Sequence, residues 1–283
     1  MGVTDCHVHI NPVWEMRPDA VELLATRDST VARYVSEPEE FLRYLDRSGV
    51  ERAVLINYVA PEVIGYTEAA NTFVAEYVRT DPERLIAVGG IRPNHPDPER
   101  EVVHLIEELG IRALKLHPPH QLFRPNAYVD GELPGLRSLY DACSRHHLPV
   151  IFHTGTSIFP RARNRFADPM FVDDIAVDFP DLTIVLAHGG RPVWMESAMF
   201  LARRFPNVWL DVSGTPPSRL LDYFPRLSRM ADKVLFGTDW PGPGVRDIGA
   251  NLEAFRALPI SAEDQQRILE ENPQRVFPRR TPS

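Results

Sequence analysis

Asp5-Cys6-His7-Val8-His9, close to the amino terminus, is the stretch from which the rest of the chain is read. Val3, Val8 and Ile10 give it the apolar, branched character of a buried strand. Strand side chains alternate between faces, so two histidines one residue apart point the same way and bring their imidazoles towards one point. Such a pair at the carboxyl end of a strand is a candidate set of metal ligands; the alternative is two solvated or hydrogen-bonded histidines. By the same alternation Cys6 has the opposite parity and is expected to pack outward as a small core residue.

Outward from this stretch the chain settles into a regular alternation. Residues 11–35 read as an irregular first loop containing Trp14, Met16 and Tyr34. A helix is then expected with Ser36 as its cap, Pro38 and acids in its first turn, and Gly49 as its stop. Short apolar runs predict further strands over 52–58, 85–91, 111–117, 149–153, 182–188, 208–213 and 233–239. Helical spacing falls over 67–79, 97–109, 133–147, 171–179, 192–205 and 218–229, with a last pair of helices around Leu252 and over 263–276. This succession predicts an α/β fold of the (β/α)8 TIM-barrel type, with an irregular first loop and extra C-terminal helices, in preference to a doubly wound sheet. A closed barrel commonly takes about 250 residues. The 283 residues are therefore expected to make one domain, 1–283.

A hydrophobic fraction of 43% and a charged fraction of 25% are ordinary for a soluble globular protein. The net charge of -8 is spread along the chain without a basic stripe or tail, which argues against nucleic acid or anionic membrane as partner and for a small molecule. Cys6 and Cys143 imply no disulfide framework and fit a reducing compartment. No apolar run approaches a membrane span, and a first strand beginning at about residue 3 leaves no room for a signal peptide, so the cytoplasm is the expected location.

Barrels of this kind place their chemistry at the carboxyl ends of the strands. Here those ends carry, in strand order, His7 and His9, Asn57, Arg92, Lys115 and His117, His153, His188, Ser213 and Asp239. Five of the chain's ten histidines fall in these windows, where even scattering would leave about one. Taken alone, His153 is equally well read as a satisfied core histidine; beside His7, His9 and Asp239 at matching heights it reads as a ligand. Asp239 either caps the following turn or answers a cation, and a carboxylate ending a buried apolar strand favours the cation. His188 is either a ligand or an acid/base, the acid/base role being preferred.

Asp5-Cys6-His7-Val8-His9, His153, His188-Gly189-Gly190 and Gly237-Thr238-Asp239-Trp240-Pro241, in that order, resemble the amidohydrolase superfamily of metal-dependent barrels. The likeness is to its amidohydrolase-related branch (amidohydrolase 2), which holds hydrolases and non-oxidative decarboxylases of the aminocarboxymuconate-semialdehyde and resorcylate types. It runs as far as Asn272-Pro273-Gln274-Arg275-Val276-Phe277. The resemblance implies that His7, His9, His153 and Asp239 bind one divalent metal ion, with zinc expected, and that His188 assists catalysis. Three imidazoles and a carboxylate suit zinc, with a position left for water or a substrate oxygen. The implied reaction is hydrolysis of a small ester, lactone or amide by metal-activated water, Asp239 being ligand and proton acceptor and His188 polarising the carbonyl or carrying a proton to the leaving group. The alternative is a decarboxylase in which Asp239 or His188 delivers a proton to carbon.

Lys115 leaves two readings. In two-metal relatives a lysine at this strand end is carboxylated and bridges the ions; a salt-bridged or substrate-binding lysine is preferred here because the branch resembled has one-metal sites. His117 is a substrate contact or a cap before Pro118-Pro119. Arg191 is read as binding a substrate carboxylate through two hydrogen bonds, whereas Arg161, Arg163 and Arg165 are expected to pair on the surface with Asp168, Asp173 and Asp174. Trp14, Trp194 and Trp240 are candidates for an apolar wall or for packing. A homodimer is the expectation by analogy. A barrel that had kept the fold without the chemistry would be expected to lack a ligand position, and none is missing.

Overall fold

The predicted runs become eight parallel strands, each hydrogen-bonded to the next in chain order: β1 (Thr4–Val8), β2 (Arg52–Ile56), β3 (Leu85–Gly90), β4 (Ala113–Leu116), β5 (Val150–His153), β6 (Ile184–Ala187), β7 (Val208–Asp211) and β8 (Val234–Leu235). The structure, a computed structural model, describes residues 2–23, 29–242 and 244–279. The helices packed between the strands are α1 (Pro38–Arg47), α2 (Ala69–Val78), α3 (Pro98–Glu107), α4 (Gly135–Arg145), α5 (Asp173–Asp178), α6 (Met195–Arg204), α7 (Pro217–Tyr223) and α8 (Ile248–Arg256). Extra C-terminal helical turns follow over Ala262–Gln266, Arg267–Glu271 and Asn272–Val276. No helix of the described residues is long and apolar enough to cross a membrane. This is the TIM-barrel architecture expected from the sequence.

The ring comes round where β1 meets the segment after β8. Cys6 donates its N–H to the Phe236 carbonyl at 2.9 Å, Asp239 to His7 at 2.8 Å and His9 to Trp240 at 2.7 Å. Asp5 locks the same seam from its side chain, accepting from the Thr238 N–H at 2.9 Å and the Thr238 hydroxyl at 2.7 Å. Strand parity then sorts the core into two layers. Leu55, Leu114, Phe152, Leu186 and Leu210 pack outward against the helices, each contributing roughly 1.5–3 kcal/mol of burial. Val54, Ile86, Ala113, Ile151, Val185 and Trp209 face the lumen, where Val276 and Phe277 join them from the C-terminal turns.

Cys6 belongs to that lumen layer and does not pack outward as expected. β1 pairs Asp5 with Ala53 but Val8 with Leu55, so one extra residue is inserted between them. Such a bulge lets sequence neighbours face the same side, and Cys6 and His7 both turn inward. Two further expectations change. Residues 11–35 contain helical turns at Val13–Glu15, Pro18–Val21 and Ser29–Ser36, and part of that loop lies outside the described residues. Ser36 ends the last of these turns, its hydroxyl donating to the Ala32 and Arg33 carbonyls at 3.1 Å, and Glu37 occupies the cap of α1. A serine hydroxyl with acceptors one turn back closes the earlier helix instead of opening the next.

Candidate functional site

Above the apolar plug, the inward parity of the strands continues into polar side chains. Lys115 follows Ala113 on β4, His153 follows Ile151 on β5, and Asp211 follows Trp209 on β7. His7 enters from the β1 bulge, and His9 and Asp239 from just beyond β1 and β8. Lys115, His153, His9 and Asp239 line a cavity of about 220 Å³ whose apolar side is built by Val13, Val31, Val35, Ile64, Tyr66 and Phe159, while His7 and Asp211 are buried.

His7, His9 and Asp239 offer one ligand atom each within 4.8 Å of one another. His7 Nδ1 lies 2.6 Å from Asp211 Oδ2, and His9 Nδ1 lies 3.1 Å from the Ile56 carbonyl. Carboxylates and carbonyls accept, so both Nδ1 atoms carry the hydrogen and both Nε2 atoms present lone pairs. Those lone pairs face Asp239 Oδ1 at 3.6 Å from His7 and 3.1 Å from His9. Three acceptors crowded together repel unless a cation lies between them. Two donor atoms held about 2.1 Å from one ion at right or tetrahedral angles are about 3.0–3.4 Å apart; the His9 separation of 3.1 Å falls in that range and the His7 separation of 3.6 Å lies just above it. His7 Nε2, fully buried, has no hydrogen-bond partner among the described residues, as a nitrogen reserved for an ion would not. The residues present therefore fit a divalent metal.

Electrostatics agree with neutral imidazoles here. Burial drives His7, His117, His153 and His188 well below the ordinary histidine pKa. Burial also lowers the Lys115 ammonium to about 8 and raises Asp211 to about 6. Asp239 is pushed up by burial, yet it lies below the usual carboxylate value, the cationic Arg191 beside it being among the groups that offset the burial. His188 (φ 66°) and Asp239 (φ 68°) both adopt the left-handed region, a strain of roughly 1–3 kcal/mol each that tends to mark functional positions.

Residues 4–279 match the amidohydrolase family. The chain belongs to that family. Over 140 residues it is 33% identical to a 2-pyrone-4,6-dicarboxylate hydrolase of Comamonas testosteroni, a match covering 36% of this chain and 46% of that relative, less than half its length. Over 288 residues it is 23% identical to a gamma-resorcylate decarboxylase of Rhizobium sp. (strain MTP-10005), covering 83% of this chain and 85% of that one. Among solved structures, a dihydroxybenzoic acid decarboxylase of Polaromonas sp. JS666 with bound manganese and 2-nitroresorcinol shares the fold at a TM-score of 0.70, with 20% identity over 98% of this chain and 96% of that one.

Within this amidohydrolase-family chain the sequence-predicted residues are distributed as follows. His7, His9 and Asp239 converge. His153 stands outside that trio, its ring 4.8 Å from His188 and stacked 3.8 Å from His117, with Nε2 buried and without a hydrogen-bond partner among the described residues. His188 donates from Nδ1 to the Ser213 carbonyl at 3.2 Å, with the Ser213 hydroxyl also at 3.0 Å, which leaves Nε2 as the acceptor. Arg191 reaches Asp239 Oδ2 at 3.4 Å, and Lys115 Nζ is buried with no hydrogen-bond partner among the described residues. Gly214 makes room for that arginine: a Cβ there would lie 2.2 Å from Arg191 Nη2.

Other expectations fall away. Arg161 pairs with Asp19 at 2.9 Å, Arg165 lies over the Phe166 ring, and Asp173 is taken by Arg204. Arg92 turns to Glu68 at 2.5 Å on the surface. None of the three tryptophans named for the apolar wall lines the cavity; Trp240 is buried among Tyr34, Phe41 and Tyr44, and Trp14 is 67% exposed. The sequence reading passed over Asp211, although a carboxylate ending the apolar run Val208-Trp209-Leu210 carries the signal that singled out Asp239. It also passed over His120 and Ser157, which lie in separate loops and announce themselves only by meeting.

Proposed function

We propose that the chain is a metal-dependent hydrolase of a small, carboxylate-bearing ester, lactone or amide. The observation that carries this is the His7–His9–Asp239 trio: three acceptors, two of them fixed as lone pairs by Asp211 and Ile56, converging where His9 and Asp239 line the cavity. His7, His9 and Asp239 would hold one zinc ion, and His153, outside the trio but with an unpartnered Nε2 among the described residues, would be the further ligand. When bound, the ion supplies Lewis acidity, polarising a substrate oxygen and making hydroxide available near neutral pH.

The chain's own groups do the rest. Arg191 and Lys115, whose Nε and Nζ are buried with no hydrogen-bond partner among the described residues, receive the substrate carboxylate, with His117 beside it. Water forms its bond to the carbonyl carbon as Asp239 Oδ2 takes its proton. The acyl C–O or C–N bond then breaks, and His188, accepting at Nε2, relays that proton to the leaving atom. The stretch 1–283 works as one unit, and the free, buried Cys6 and Cys143 suit a reducing cytoplasm.

The second reading, a non-oxidative decarboxylase, is favoured by the likeness to the resorcylate enzyme along 83% of the chain. Elemental analysis is expected to find one ion per chain, and mass spectrometry an unmodified Lys115. A panel of lactones, esters and aromatic acids separates the chemistries: carbon dioxide release without hydrolysis overturns the hydrolase.

A further inference from the structure

Three side chains that the mechanism above does not use form a continuous hydrogen-bond path along the wall of the cavity. The Tyr58 hydroxyl lies 3.1 Å from His120 Nδ1, and His120 Nε2 lies 2.8 Å from Ser157 Oγ. All three line the cavity, and they come from three different strand ends. Tyr58 and His120 are buried, His120 to 1% exposure, so their polar atoms must be satisfied by the protein.

The tautomer of His120 follows from counting hydrogens. Burial holds its pKa down at about 3, so the ring carries one hydrogen. Among the described residues the Tyr58 hydroxyl has a single hydrogen-bond partner, His120 Nδ1. If Nδ1 carried the ring hydrogen, the buried tyrosine O–H would have no acceptor, at a cost of about 1–3 kcal/mol. Tyr58 therefore donates to Nδ1, and Nε2–H donates to Ser157. Ser157 Oγ also receives the Phe159 N–H at 3.3 Å. With both lone pairs engaged, the serine hydrogen has no acceptor among the described residues and is left for whatever enters the cavity.

We propose that Tyr58 and His120 are positioning residues that set Ser157 as a one-way hydrogen-bond donor, and that Ser157 binds a carbonyl or carboxylate oxygen on the substrate apart from the reacting group. This rests on the reading of the cavity as a substrate site. It also separates Ser157 from a serine nucleophile, which would need His120 Nε2 as a base; here that nitrogen holds a hydrogen and gives it. The path resembles a triad in composition and runs in the opposite sense.

Two measurements on the metal-loaded full chain test it. Long-range proton–nitrogen correlation of histidine-labelled protein, assigned with His120→Asn, should show His120 with hydrogen on Nε2 from pH 6 to 9, and Tyr58→Phe should let the Nδ1–H form appear. Calorimetric titration with isophthalate and with benzoate then reads the donor. Ser157→Ala should weaken isophthalate about tenfold and benzoate less than twofold, and Ser157→Thr should restore most of the loss. An Nδ1–H tautomer in the unaltered protein overturns the polarity of the path. Equal losses for both probes, no loss, or no binding of either overturns the donor role. None of these results depends on metal stoichiometry or turnover, by which the hydrolase reading itself is judged.

Discussion

Replacing Asp211 by Asn is expected to loosen the metal without loosening the fold. Asp211 is 1% exposed and grips His7 Nδ1 at 2.6 Å, while its other oxygen accepts the Ser213 N–H at 2.8 Å. Asparagine has the same shape and keeps an acceptor, so the loop past β7 stays in place. What disappears is the charge that fixes the His7 tautomer and raises the basicity of Nε2. Loss of such an outer carboxylate costs about 10–100-fold in metal affinity, or about 1.4–2.7 kcal/mol. The worth of a single hydrogen bond to a charged group, about 1.5–3 kcal/mol, gives the same range independently. Removing a buried charge also relieves the metal-free protein of a desolvation cost. The signature is therefore a weaker zinc dissociation constant, measured by competition with a chromophoric chelator, together with a metal-free melting temperature that is unchanged or higher. Zinc affinity within twofold of the parent, in a variant that folds, would refute the lone-pair argument on which the metal centre stands.

Other outcomes follow from the same geometry. Asp239→Asn should leave less than one tightly held ion per chain and, at saturating metal, lower kcat by about 10²–10⁴-fold; turnover within tenfold of the parent would remove Asp239 as proton acceptor. Gly214→Ala places a Cβ 2.2 Å from Arg191 Nη2 at a φ of +64°, so both KM for carboxylate substrates and melting temperature should suffer, the backbone alone by roughly 1–2 kcal/mol. Lys233, held at about 8 by burial against 10.5 when free, sheds its proton in the folded chain first. Between those values the unfolded chain binds more protons, so unfolding free energy should rise with pH. Lys115, also near 8, adds the same sign. Denaturant titrations should show this slope flattened in Lys233→Met, and an equal slope in both proteins would contradict the assignment.

The candidate site was legible wherever one residue type carried its own signal. His7, His9 and Asp239 stood out because imidazoles and a carboxylate at the ends of apolar strands have few other reasons to be there. Arg191 was found through its place beside the Gly189-Gly190 turn. His117 and Lys115 were located at the right strand end, but their surroundings were not: His117 is stacked between His120 of the same turn, at 3.5 Å, and His153 at the end of β5, at 3.8 Å, and sequence spacing does not relate the second contact. The tryptophans misled for the reverse reason. Their apolar bodies fit a pocket wall and a helix interface equally, and the cavity wall came from Val31, Val35 and Ile64 instead.

The sequence by itself determined the barrel and marked the candidate site, because strand and helix periodicity and the polar strand ends are local properties of consecutive residues. Only the tertiary structure decided which faces those residues present. A single inserted residue in β1 turned Cys6 and His7 inward together, against simple alternation, since register is a property of two paired strands and not of one. It also decided the hydrogen-bond partners: Asp211 for His7, Ile56 for His9, Tyr58 and Ser157 for His120. Those contacts span 204, 47, 62 and 37 residues. They fix where each proton sits, and no pattern along the chain can specify an acceptor that folding alone brings within reach.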